Sequence, residues 1–144
     1  MSESSQSPRL RPQNPGEIAQ LIPYLMGFAP EESLVVLVTQ QGQVAVTARV
    51  DMADVRPLGA AEDLLDRIWT RFPDADAYLL AYTADREAGW DLLQRCADHL
   101  PLTALSKRLV VDGDTWHLPD GNSGTVDRFG QLAAEATYHG LQRR

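Results

Sequence analysis

The chain has 144 residues, 44% of them hydrophobic and 23% charged, which is the size and composition of one folded domain. Its formal net charge of −7 disfavours direct nucleic-acid binding, because surfaces that follow phosphates are built from clustered Lys and Arg. Cys96 is the only cysteine, so an intramolecular disulfide is excluded, and no apolar run approaches the roughly 18 residues of a membrane span. The composition predicts a cytoplasmic protein that binds neither a membrane nor, directly, nucleic acid.

The first predicted element is a capped helix that follows a polar leader. Residues 1–13 are rich in Ser and Pro and have no hydrophobic period, so they are predicted to be disordered, with a single domain over 14–144. Asn14 supplies a capping side chain, and Pro23, inside the apolar stripe, predicts a kink or a restart. Gly27 predicts the end of the helix. The stripe consists of Ile18, Leu21, Ile22 and Leu25.

Two β-branched runs predict the first hairpin of a sheet. Residues 33–40 and 43–50 are separated by Gln41-Gly42, a length that suits a tight antiparallel turn. The first run is apolar almost throughout, which is typical of a central strand, whereas the second alternates. That alternation predicts two faces, with Val44, Val46, Ala48 and Val50 on one and Ala45, Thr47, Arg49 and Asp51 on the other.

The remaining pattern predicts helices packed on a mixed sheet. The further elements are a helix at 58–72, a strand at 77–83, a helix that Thr83 caps and Pro101 ends, a hairpin at 105–111 and 115–118, and a helix at 125–141. The order α-β-β-α-β-α-β-β-α defines an α/β fold (α+β-like) with a mixed sheet of about five strands and two hairpins.

The sequence contains no motif for a nucleotide, zinc, calcium or hydrolase site, so no cofactor or metal is predicted and a catalytic role is disfavoured. Asp112, Asp114 and Asp120 lie near His117 and could bind a metal ion. Turn chemistry explains Asp112 and Asp114 without a ligand, because Asp and Gly are the residues that such turns favour. Cys96 lies at an apolar helical position and is interpreted as a core residue rather than a nucleophile.

The candidate binding residues are polar or aromatic side chains near the ends of predicted strands: Ser33, Arg49, Asp51, Trp116 and His117. A two-residue period places Arg49 and Asp51 on one face, where they can form a solvent-facing ion pair. The functional interpretation is that they join Ser33 in a polar patch, since a guanidinium presents donors suited to an oxyanion. Trp116 is either a core residue or a partly exposed stacking surface.

The segment at 23–36 (PYLMGFAPEESLVV), followed by Arg-Val-Asp at 49–51, resembles the opening of an uncharacterised actinobacterial family known as domain of unknown function 4192. The residues at 113–116 (GDTW) and an Ala-rich stretch that ends at Gly140 are also similar to this family. The resemblance implies an α/β fold, an actinobacterial or actinophage origin and, because family members are typically longer, a short or truncated member. It implies no established activity and no catalytic residue.

The segment from Gly27 to Ser33 also has a purely structural interpretation. Gly27 ends the helix, Phe28 fills the core, Pro30 stiffens the turn and Ser33 opens the strand. The segment is then a helix-to-strand connector that needs no ligand.

The favoured function is a non-catalytic module that self-associates or binds a protein partner, because catalytic motifs are missing and a sheet with two hairpins leaves strand edges open. The alternative is a small-molecule-binding or hydrolytic enzyme with a pocket near Ser33, Arg49 and Asp51. A second alternative is an acidic inhibitor that blocks a DNA-binding partner.

Overall fold

In the described part of the chain, a mixed sheet of six strands carries helices on both of its faces. The structure, a computed structural model, describes residues 15–104 and 106–126. In chain order the elements are α1 (Pro15–Met26), β1 (Ser33–Gln40), β2 (Gln43–Asp51), α2 (Met52–Val55), α3 (Ala60–Arg71), β3 (Asp76–Tyr82), α4 (Arg86–His99), β4 (Ser106–Asp112), β5 (Thr115–His117) and β6 (Ser123–Thr125). The predicted α/β class with a mixed sheet is confirmed. The predicted leader at 1–13, the cap Asn14 and the predicted helix beyond 126 lie outside the described residues.

The strands are ordered β2-β1-β3-β4-β5-β6, so β2 and β6 are the two edges of the sheet that the described residues form. β1 is antiparallel to both of its neighbours, whereas β3 and β4 are parallel and are joined by the crossover helix α4. β5 and β6 continue the sheet in antiparallel fashion. The start of β1 therefore meets the ends of β2, β3 and β4 at one margin of the sheet, the strand-end margin.

The sheet separates two hydrophobic layers, and β1 contributes to both. Leu34 and Val36 pack in the layer that contains α2, α3 and α4, whereas Val35 and Leu37 pack in the layer that contains α1. All of these side chains are fully buried. β1 is apolar almost throughout because both of its faces are covered, and it is a central strand as predicted.

The β1–β2 hairpin lies where it was predicted, but it is irregular near its turn. The pairing is regular from Asp51 to Val46 and then shifts, which leaves Ala45 as an extra residue. Such a bulge reverses the face on which the residues before it lie. Val44 packs in the α1 layer for this reason, so the prediction that it shares a face with the other three apolar residues of β2 is wrong.

The start of α4 also differs from the prediction. Asp85, not Thr83, caps this helix, because its carboxylate accepts the Ala88 N–H at 3.1 Å. The Thr83 N–H still donates to the Val111 carbonyl of the neighbouring strand at 3.0 Å, so the chain has not yet left the sheet at this residue. The hydroxyl of Thr83 instead accepts the Asp85 N–H at 3.0 Å.

A further prediction, the start of the last helix, was wrong. The predicted last helix cannot begin at Thr125, since that residue belongs to β6, a strand of three residues that has no apolar alternation to reveal it. Of the two alternatives predicted at Pro23, a kink or a restart, the restart does not occur, because one helix covers Pro15–Met26. None of the helices within 15–104 or 106–126 is long and apolar enough to cross a membrane.

Candidate functional site

Residues from all six strands form a row across one face of the sheet at the strand-end margin. In pairing order this cross-sheet row consists of Asp51, Ser33, Tyr82, Val111, Trp116 and Gly124. The row lies on the α1 face, where Tyr82, Val111 and Trp116 pack in the α1 layer. Neighbouring strands are about 4.8 Å apart, so the row extends roughly 24 Å from β2 to β6.

Arg49 lies on the same face of β2 and binds two members of the row. Its Nε donates to Ser33 Oγ at 3.1 Å, and its Nη2 forms an ion pair with Asp51 Oδ1. Ser33 is fully buried and donates to the Glu31 carbonyl at 2.7 Å. Ser33, Arg49 and Asp51 are therefore brought together as one hydrogen-bonded group, the Arg49 patch.

Phe28 lies beside the Arg49 patch rather than in the core. The residue is 50% exposed, and the Arg49 guanidinium carbon lies 5.7 Å from the centroid of its ring. Gly27 has a left-handed φ of 83° and donates its N–H to the Pro23 carbonyl at 2.8 Å, which ends α1 and turns the chain. The interpretation of Phe28 as a core residue is wrong, since this turn carries it out of the α1 layer. Pro30, in contrast, is buried.

Glu32 joins separate segments of the chain at the strand-end margin. Its carboxylate accepts the Thr83 hydroxyl at 3.0 Å and the Ala84 N–H at 3.3 Å. Its backbone carbonyl accepts the Met52 N–H at 2.9 Å. Its φ of 44° lies in the left-handed region that non-glycine residues rarely adopt. Glu32 thereby connects the start of β1 to α2 and to the loop before α4.

A cleft of about 280 Å³ opens next to Glu32, between the connector before β1, the end of β3 and the β4–β5 turn. Its lining residues are Ala29, Pro30, Glu31, Glu32, Tyr82, Thr83, Ala84, Val111, Asp112 and Gly113. Among the described residues, the lining includes three carboxylates and no basic side chain. The members of the Arg49 patch do not line it, so the cleft lies beside the patch, over β3 and β4.

The two candidate residues on β5 do not join the Arg49 patch. The indole of Trp116 covers Gly124, where an added Cβ would come within 2.4 Å of the ring. Trp116 is partly buried in the α1 layer, so core packing and partial exposure both describe it. His117 faces the other side of the sheet, where its Nδ1 lies 3.4 Å from Arg86 Nη1.

Burial raises the pKa of three described side chains, those of Tyr78, Tyr82 and Cys96. The Tyr82 hydroxyl is buried without a hydrogen-bond partner among the described residues, and this burial raises the pKa of the phenol well above its usual value. Burial also raises the pKa of the Cys96 thiol to about 11, against the nearby charge of Arg95, which lowers it, and together with that of Glu62, which raises it. A thiol that stays protonated is a weak nucleophile, so these surroundings suit a core residue.

The acidic residues near β5 have local roles in turns. Asp112 and Asp114 flank Gly113, whose φ is 62°, between β4 and β5. Asp120 accepts the backbone N–H of Asn122 at 2.9 Å and its side-chain amide at 3.0 Å. Within the described ranges, no three His, Cys, Asp or Glu side chains are placed to hold a metal ion.

Sequence reasoning missed Glu32, Thr83 and Tyr82 as residues of the strand-end margin. Glu32 lies inside the segment at 23–36, which was the one available signal. Its partner Thr83 is 51 positions away, and Tyr82 becomes a neighbour of Ser33 only when β3 pairs with β1. Such contacts depend on strand pairing, which local patterns do not specify.

The fold and this margin define an α/β protein with a mixed sheet, a polar patch at the end of an edge strand and a cleft over the central strands. The chain belongs to the family described as Domain of unknown function (DUF4192), which matches residues 15–144. The resemblance seen in the sequence is thereby confirmed for the family. No curated protein and no solved structure is significantly similar to the chain.

Proposed function

We propose that this chain is a non-catalytic protein-interaction module that binds an extended partner strand along the outer edge of β2. The observation that carries the proposal is the position of β2, which is nine residues long and ends the sheet. Among the described residues, only β1 pairs with it. The outer edge of such a strand presents backbone N–H and C=O groups to which another strand can add.

The side chains of β2 support strand addition. Native edge strands commonly carry Lys or Pro, which prevent pairing with other chains, and β2 has neither. Its two charged residues, Arg49 and Asp51, pair with each other. Val46, Ala48 and Val50 are only partly buried, so an added strand could extend the hydrophobic layer on that face.

Exposed apolar side chains lie beside Arg49 of β2 and in the segment that follows α2. Phe28 is 50% exposed beside Arg49, and Leu58, which follows α2, is 90% exposed. Aromatic residues and arginine contribute strongly to protein interfaces, so Phe28 and Arg49 are the expected anchors for a partner.

The geometry favours interaction over a ligand pocket at Ser33, Arg49 and Asp51. Two nitrogen atoms of the Arg49 guanidinium already have partners within the patch, which leaves fewer donors for an oxyanion.

The proposal includes a cytoplasmic setting, supported by the unpaired, buried Cys96. An actinobacterial or actinophage source is supported by the resemblance of the segment at 23–36.

Residue-resolved amide hydrogen exchange tests the proposal. The exchange is measured from micromolar to millimolar protein, with and without a nine-residue alternating Thr-Val peptide as a generic strand-forming probe. Successive N–H groups of a strand point to opposite sides, so alternate amides of residues 43–51 should become protected with concentration or with the probe. Protection that develops elsewhere, with none in β2, would overturn the proposal.

Thr47→Pro and Ala48→Pro form a matched pair for this experiment. One proline removes an N–H that faces β1, and the other removes an N–H that faces outward. The variant with the higher melting temperature is expected to lose the added protection. If that variant keeps it, the edge of β2 is not the binding surface.

A further inference from the structure

We infer that the strand which adds to β2 is β2 of a second copy of this chain, paired antiparallel about a two-fold axis at Ala48. This inference rests on the proposed function, because it names the partner for the same edge. Two such sheets would join into one continuous sheet, and each copy would provide the same surface to the other.

The regular part of β2 restricts where the axis can lie. β2 pairs regularly with β1 from Val46 to Asp51, and the bulge at Ala45 ends that stretch. A two-fold axis perpendicular to the sheet keeps each side chain on its own face, so the residue at the axis lies opposite its own copy. The two positions nearest the middle of the regular stretch are Ala48 and Arg49.

Charge decides between these two positions. An axis at Arg49 would place the two guanidinium-bearing residues directly opposite each other, and like charges in that arrangement are destabilising. An axis at Ala48 places Arg49 opposite Thr47 of the second copy and Asp51 opposite Ala45. Each Arg49 also keeps its own carboxylate partner, Asp51, so no unpaired charge enters the interface.

The positions of the apolar side chains of β2 support the same pairing register, with the axis at Ala48. With the axis at Ala48, Val46 of each copy lies opposite Val50 of the other, on the face that packs against α3 and α4. Cross-strand pairs of β-branched residues stabilise a sheet. The half-buried apolar residues of β2 would then become covered.

The charge distribution of the chain also suits self-association at this edge. The chain carries 20 acidic residues and a net charge of −7, so two copies repel each other over most of their surfaces. From Ser33 to Val50, however, the only charged residue is Arg49. Residues 33–50 of the β1–β2 hairpin therefore carry no carboxylate, and β2 of this hairpin lies at the end of the sheet among the described strands.

Disulfide trapping tests the register. The full chain with Ala48→Cys should form a disulfide-linked dimer under mild oxidation, because opposed Cα atoms about 4.5–5.5 Å apart fall within disulfide range. The matched control is Ala45→Cys, since Ala45 is exposed but would lie roughly 20 Å from its own copy. Cys96 is buried, so the native thiol should not compete.

Light scattering on the wild-type chain accompanies the trapping. A concentration-dependent dimer, with a disulfide at position 48 and not at 45, is the expected result. A dimer that forms no disulfide at 48 would overturn the register. A chain that stays monomeric at millimolar concentration would overturn self-pairing; in that case protection of β2 by the Thr-Val peptide would leave the proposed function standing, and its absence would remove both.

Discussion

Glu32 has a left-handed backbone, and contacts to distant segments hold it there. A non-glycine residue in this region carries a cost of order 1 kcal/mol or more. Glycine would adopt the conformation freely but has no carboxylate to accept the Thr83 hydroxyl and the Ala84 N–H. The hydrogen bonds therefore explain why an acidic side chain suits this strained position.

We predict that Glu32→Ala lowers the free energy of unfolding by about 1–2 kcal/mol, because two hydrogen bonds are lost while the strained backbone remains. Urea denaturation measures the change. Glu31→Ala is the control, since Glu31 binds Ser33 through its backbone carbonyl, which alanine keeps. Equal losses in the two variants would contradict this account of Glu32.

Arg49 combines a structural contact with the proposed role at the edge of β2. Its side chain is 30% exposed, so its ion pair with Asp51 contributes only about 0–1 kcal/mol. We predict that Arg49→Ala keeps the melting temperature within about two degrees while it weakens binding at the β2 edge. Calorimetry and the exchange experiment measure these effects separately. A large loss of stability would show that the bond to Ser33 holds the sheet together.

At the scale of the element, α4 shows how a helix start depends on where the preceding strand ends. Thr83 and Asp85 both have side chains that can cap a helix. The backbone of Thr83 still pairs with β4, so Asp85 is the first residue free to cap. The choice between them was made by strand pairing and not by side-chain preference.

We predict that Asp85→Ala destabilises the protein by about 1 kcal/mol through the lost bond to the Ala88 N–H. Thermal or urea denaturation measures it. Asp85→Asn is the matched variant, because asparagine caps about as well as aspartate. If both variants lose the same stability, the charge of Asp85, and not its capping bond, is what matters.

At the scale of the whole molecule, Cys96 and Tyr82 should make the free energy of unfolding vary with pH in the alkaline range. The pKa of the Cys96 thiol rises from 9.0 to about 11 on folding, and that of the Tyr82 phenol also rises from 10.0, both because of burial. Above pH 9 the unfolded chain therefore releases protons that the folded chain keeps. The contribution of these two groups to the free energy of unfolding should be fully present below pH 9 and should decrease as the pH rises through about 11.

Tyr82→Phe tests this prediction. The variant should be at least as stable as the wild type at pH 7, because it removes a buried hydroxyl that forms no hydrogen bond in the described part of the chain. Its melting temperature should fall less steeply between pH 9 and 11. Melting curves across this range measure both effects, and an unchanged slope would contradict the role of the phenol.

Much of the fold was predictable because its signals are local. The apolar run of β1 and the alternation in β2 follow from how a strand divides its side chains between two faces. The failures at Val44 and Phe28 have local causes as well, namely a bulge and a left-handed turn, which a pattern of apolar residues does not reveal. Each moved a side chain to another environment without changing the class of fold.

The sequence by itself determined the α/β class, the first hairpin and the nearness of Arg49 to Asp51, because these depend on residues close together along the chain. Only the tertiary structure decided that Ser33, Tyr82 and Trp116 lie in one row across the sheet. It also decided that β2 lies at an edge. The physical reason is that strand order and register are set by packing between distant segments, of which the 51-residue separation of Glu32 and Thr83 is one measure.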